Sequence, residues 1–208
     1  MGKVGGWDVN VTVGSMPEKV ATAFGELNMV GAEYEPIAYL GSQVVNGVNH
    51  AVLAEQIVTT GRDTKNIVTM IFNERVDACT LVGIERVVES GGEMGGITVD
   101  PRTGELPKDA TDALNNVLEG FVGADVKPFA LLGTQITKGT CYIFAATITP
   151  VALDRPIRAA LVVANDMTGD LSMTDLLTTK YDVMQLGYQY AWVKRQNSSL
   201  GAPLGEWP

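Results

Sequence analysis

Histidine and cysteine are nearly absent from this chain of 208 residues, which has one histidine and two cysteines. Two thiols, Cys79 and Cys141, are too few for a disulfide framework and stand in no CxxC spacing. They read as half-buried side chains, since a free cysteine packs as a small apolar group. His50 stands without Cys, Asp or Glu at ligand spacing, so no metal site is expected.

Positive charge is also in short supply. The formal net charge is -9, and neither half carries a cluster of Lys and Arg. Binding to nucleic acid is thereby excluded, because phosphate neutralisation depends on such clusters. A protein or a small molecule is the expected partner. No apolar run reaches the roughly 18 residues that a membrane helix needs. The start of the chain, Met1 to Trp7, lacks the apolar stretch of a secretory signal, so the expected location is the cytoplasm. Catalytic signatures are missing as well: there is no Gly-x-Ser-x-Gly, no HExxH and no phosphate loop. The glycines from Gly91 to Gly96 read as a linker. Neither an enzyme nor a cofactor is expected.

What the chain does contain is a duplication. Val30-Gly31-Ala32, Pro36, Ala38, Leu40-Gly41, Gln43 and Gly47 return 92 positions later as Val122-Gly123-Ala124, Pro128, Ala130, Leu132-Gly133, Gln135 and Gly139. Asn73 likewise meets Asn165. Gly5-Gly6 answers Gly95-Gly96 at 90 positions, and Leu81-Val82-Gly83 answers Gln185-Leu186-Gly187 at 104. The larger spacing puts extra residues between 167 and 180, expected as a longer loop with one helical turn. The expected units are 1–90 and 91–195, followed by a flexible tail, 196–208.

Each copy has the same order of patterns. Trp7 to Val13 alternates apolar and polar residues, as a half-buried strand does. Ser15-Met16-Pro17-Glu18 then signals a helix, with Ser15 as cap and with Val20, Ala21, Phe24 and Leu27 facing a sheet. Alternating runs follow over Ile37–Val58, Asn66–Asn73 and Cys79–Val88. The second copy predicts a helix over about Asp109–Phe121 and strands over Ile97–Val99, Phe129–Thr149, Ile157–Asn165 and about Val183–Lys194. The predicted fold class is α+β, with two tandem units, each a helix packed on an antiparallel sheet. Tyr188, Tyr190 and Trp192 would share one strand face.

Gln43-Val44-Val45-Asn46-Gly47 resembles the Gln-x-Val-x-Gly hairpin of cystatins and stefins, inhibitors of papain-like cysteine proteases. The Gly5-Gly6 pair, the helix ahead of the hairpin and Leu186-Gly187-Tyr188-Gln189 are similar to further parts of that family. The resemblance implies two cystatin-like units. It also implies a wedge in which Gly5, Gly6, Gln43, Val44, Val45, Asn46 and Gly47 enter a protease cleft by backbone and apolar contacts, without a covalent bond. Gln135 and Gly139 hold the matching places in the second copy, around a tip that carries Lys138.

Two other readings remain open at this stage. In one, strand edges and the tail join copies of the chain into an assembly. In the other, a pocket between helix and sheet near Tyr34, Tyr39 and His50 takes a small molecule. Gln43 and Gln135 could also mark only a bend in a long strand.

Overall fold

A computed structural model describes residues 6–60, 64–91, 95–152 and 155–177. In chain order the elements are β1 (Trp7–Val13), α1 (Glu18–Gly25), β2 (Ala32–Val45), β3 (Gly47–Val58), β4 (Thr64–Glu74) and β5 (Cys79–Glu89). The order then repeats with β6 (Ile97–Thr103), α2 (Lys108–Leu118), β7 (Ala124–Thr137), β8 (Gly139–Pro150), β9 (Arg158–Asn165) and β10 (Leu171–Asp175). Every strand pairs antiparallel with its neighbour, in the orders β1-β2-β3-β4-β5 and β10-β9-β8-β7-β6.

The duplication reaches into the irregularities of the sheets. Ladder register slips at Pro36/Ala38 in β2 and at Pro128/Ala130 in β7, where proline has no N–H to give a neighbour. Gly41 and Gly133 mark the second slip in each strand. A Cβ at these two positions would lie 2.2 Å from the Asp8 carbonyl oxygen and 2.3 Å from that of Thr98. Glycine therefore lets β1 and β6 cross closely over β2 and β7.

The principal core overturns the α+β expectation. Ile37, Leu40, Leu53 and Ile67 of the first sheet pack in one buried cluster with Val99, Leu132, Ile143 and Ala159 of the second. Each sheet thus buries one face against the other sheet, and the two belong to one compact unit. The helices are short, 8 and 11 residues, and only cover the outer faces, α1 through Val20 and Phe24 and α2 through Ala110, Ala113 and Leu114. Among the described residues this is a β-rich fold of two antiparallel five-stranded sheets, not a pair of helix-on-sheet units. The difference has a physical origin: the central strands bury both faces, one under the helix, as Tyr39, Val52 and Val68 do, and the other against the second sheet, as Leu40, Leu53 and Ile67 do.

Local differences follow the same logic. α1 starts after Pro17 with no side-chain cap bond, so Ser15 does not cap it; the Ser15 carbonyl instead accepts from Thr12 Oγ1 at 2.8 Å. Ala21 is exposed and Ala23 packs against the outer cluster in its stead. The stretch expected as a loop with a helical turn after Met167 contains β10, which pairs with β9 from Leu171↔Ala164 to Asp175↔Ala160. Val183–Lys194, the aromatic residues within it and the tail lie outside the described residues.

Candidate functional site

Three segments meet at one end of the first sheet. Antiparallel pairing sets the start of β1 beside the β2–β3 hairpin, with Trp7 opposite Gln43. It also sets the end of β4 beside the hairpin's return strand, with Glu74 opposite Val48 and Cys79 opposite Glu74. Gly6 immediately precedes β1 and is half-buried, while Gly5 lies outside the described residues. Gln43–Gly47 is the hairpin itself, turning at Asn46 between the paired Val45 and Gly47. Its two halves differ in exposure: Gln43 is 6% exposed and Val44 60%. Val76, in the β4–β5 turn, is 89% exposed.

The turn requires glycine on steric grounds. Gly47 has φ +95°, and a Cβ there would lie 2.4 Å from the Glu74 carbonyl oxygen. No L side chain fits that position without moving the backbone. On the face toward the second sheet, amides link the three strands of the tip. Arg75 Nε donates to Asn73 Oδ1 at 3.0 Å, Asn73 Nδ2 to Asn49 Oδ1 at 2.8 Å, and Asn49 Nδ2 to Gln43 Oε1 at 3.2 Å. Such a ladder satisfies side chains that would be costly to bury alone.

On the opposite face, under α1, the one histidine organises a second chain. Tyr39 Oη lies 3.0 Å from His50 Nδ1, and His50 Nε2 lies 3.1 Å from Glu74 Oε2. Glu74 Oε1 in turn lies 3.0 Å from Lys19 Nζ, on the first turn of α1. Lys19 also reaches the Val76 carbonyl at 3.5 Å. His50 is 6% exposed and Tyr39 7%, so the inner half of this relay is shielded from water. A carboxylate can only accept, so Nε2 carries a proton toward Glu74; in the neutral imidazole Nδ1 then accepts from the Tyr39 hydroxyl. Lys19 foremost, with His50 behind it, holds the Glu74 carboxyl below its ordinary range against the opposing effect of burial. Burial pushes the Tyr39 hydroxyl up, opposed by a hydrogen bond from Ser42.

The second copy keeps the hairpin and loses the relay. Gly139 has φ +88°, and a Cβ there would meet Asp166 Oδ1 and Met167 Cβ, each at 2.5 Å. Leu131, Tyr142 and Asp166 stand where Tyr39, His50 and Glu74 stand in the first copy. Tyr142 Oη donates instead to Asp109 of α2 at 3.1 Å, and Asp166 Oδ1 accepts the Thr140 N–H of its own hairpin at 2.8 Å. Gln135 Nε2 donates to the Gly95 carbonyl at 2.8 Å on the exposed surface, unlike buried Gln43.

The pocket expected near Tyr34, Tyr39 and His50 is divided. Tyr34 lines a cleft of about 520 Å³ beyond the end of α1, with Phe24, Leu27 and Met29. Tyr39 lines another of about 330 Å³ with Met16, Ala21 and Pro36, and His50 lines neither. Among the described residues no group of His, Cys, Asp and Glu could hold a metal ion, and no helix is long and apolar enough to cross a membrane. Cys79 and Cys141 are free and half-buried. Sequence reasoning singled out Tyr39 and His50 but missed Lys19 and Glu74, whose meeting depends on α1 lying over the β4 terminus.

Compared with protein-family models, with curated proteins and with solved structures, the chain matches none.

Proposed function

We propose that this chain is a non-catalytic binding protein that docks on a partner protein through the loop end of its first sheet. Gly6, Val44, Val45, Asn46 and Gly47 form the edge, together with Val76 of the β4–β5 turn. The observation that carries this reading is the convergence of exposed apolar tips on a preorganised base. Val44, Val45 and Val76 are 60%, 37% and 89% exposed, while Gln43, Asn49, Asn73 and Arg75 are joined by hydrogen bonds below them. A rigid projecting edge of this kind loses little conformational freedom on binding, and apolar residues at its summit gain from burial in a cleft.

Papain-like cysteine proteases are the partner class implied by the Gln43–Gly47 pattern. The edge would lie across the protease cleft and exclude substrate, with no bond made or broken. Titration of papain with the full chain tests this. Inhibition that saturates, and that is lost in Val44→Asp with the fold retained, is the expected result. Neither inhibition nor complex formation at micromolar protein would overturn it.

A further inference from the structure

The relay under the docking edge does more than satisfy a buried histidine, because its members come from each part of the edge's support. Lys19 belongs to α1, His50 to the return strand of the hairpin, and Glu74 to the strand that enters the β4–β5 turn. Glu74 contributes twice. Its carbonyl oxygen occupies the space beside Gly47 that only glycine leaves open, at 2.4 Å from the place of an added Cβ. Its carboxylate is divided between Lys19 Nζ at 3.0 Å and His50 Nε2 at 3.1 Å.

We infer that Glu74 is the positioning residue of the docking edge: it fixes the His50 tautomer and ties the β2–β3 hairpin, the β4–β5 turn and α1 into one body. Lys19 completes the tie by its second contact, to the Val76 carbonyl in the turn. The tie is specific to the first copy, since Asp166 accepts from its own hairpin backbone and Tyr142 takes the place of His50. Tyr39 of β2 and Glu74 of β4 flank the His50 ring; Ser42 of β2 and Asp8 of β1 act on Tyr39, Lys19 of α1 acts on Glu74, and burial followed by the Glu74 charge raises the Cys79 thiol of β5. The inference rests on the docking reading only for its consequence in binding.

One histidine per chain makes the tautomer directly readable by imidazole nitrogen NMR on the full protein. The wild type is expected as the Nε2–H form. In Glu74→Gln the amide oxygen goes to the Lys19 ammonium, which turns the amide NH2 toward Nε2 and moves the imidazole proton to Nδ1. A purely structural role for Glu74 would not reverse a tautomer. In Glu74→Ala, amide exchange over residues 44–48 and 75–78 is expected to quicken by about tenfold, while the β3 centre near Leu53 keeps its protection.

An Nδ1–H wild type, an unchanged tautomer in Glu74→Gln, or exchange that rises equally across the sheet in Glu74→Ala would each overturn the inference. Papain inhibition, measured on the same variants, is expected to weaken in Glu74→Ala relative to wild type. Wild type that fails to inhibit papain defeats the docking reading alone, and the tautomer and exchange results still decide the role of Glu74.

Discussion

Gly47 lies so close to the Glu74 carbonyl oxygen that a methyl group on its Cα would come within 2.4 Å of it, with φ already at +95°. Shape and dihedral therefore demand glycine independently. Gly47→Ala should lower unfolding free energy by about 2–3 kcal/mol, the cost of a left-handed residue plus a backbone shift. Gly120→Ala is the control, since φ there is +76° but nothing lies within 4 Å of an added Cβ. Urea unfolding of both variants separates the two terms, and equal losses would show that the contact with Glu74 is harmless.

His50 is the pivot of the buried relay, bonded on both ring nitrogens. His50→Ala leaves the Tyr39 hydroxyl without its acceptor and opens a space beside the ring of Tyr39, whose centroid is 5.9 Å away. A loss of about 2–4 kcal/mol follows from an unmade buried hydrogen bond together with a cavity. Tyr39→Phe in the His50→Ala background should add less than it does alone, because the two share one interaction. A double-mutant cycle by thermal or urea unfolding measures that coupling, and strict additivity would refute it.

Acid should loosen the first tip. The Glu74 carboxyl is held below the ordinary carboxylate range, chiefly by Lys19. A depressed folded-state value means that this contribution to stability is whole above the unfolded value of about 4.3 and is lost as pH falls through the folded one. The protection factors of the amides around Gly47, corrected for the slowing of intrinsic exchange in acid, should therefore fall as the medium is acidified below about pH 4.3, and Lys19→Met should flatten that dependence. The same scan around Gly139 provides the comparison, as its Asp166 bonds the Thr140 N–H and no lysine.

How much of this was legible in the sequence depends on the range over which each residue acts. Alternation gave the strands well: Cys79–Val88 became β5, Cys79–Glu89, and Ile157–Asn165 became β9, Arg158–Asn165. Ile37–Val58 and Phe129–Thr149, each expected as one alternating run, instead turn back at Asn46 and Lys138 as β2–β3 and β7–β8, because a turn this tight hardly interrupts the alternation. The fold class was misjudged because alternation tells which face of a strand is apolar but not what covers it. Ile37, Leu40 and Leu53 meet the second sheet rather than a helix. The relay was half visible for a similar reason. Tyr39, His50 and Glu74 are brought together by strand register, and Lys19 by the docking of α1 through Phe24, whose ring lies 6.0 Å from that of Phe72. No spacing along the chain encodes that contact.

The exposed valines offer the cleanest separation of folding from binding. Val44 and Val76 are 60% and 89% exposed, so their replacement by Asp removes little packing and should change stability by no more than about 0.5 kcal/mol. A charge at either site would have to be desolvated in an apolar cleft, a cost large enough to weaken docking by at least about tenfold per substitution. Ile136→Asp, at the 65% exposed tip of the second hairpin, is the matched control. Binding is measured by papain inhibition and stability by urea unfolding on the same preparations. If Val44→Asp and Val76→Asp inhibit as well as wild type while Ile136→Asp does not, the docking edge belongs to the second sheet and not to the first.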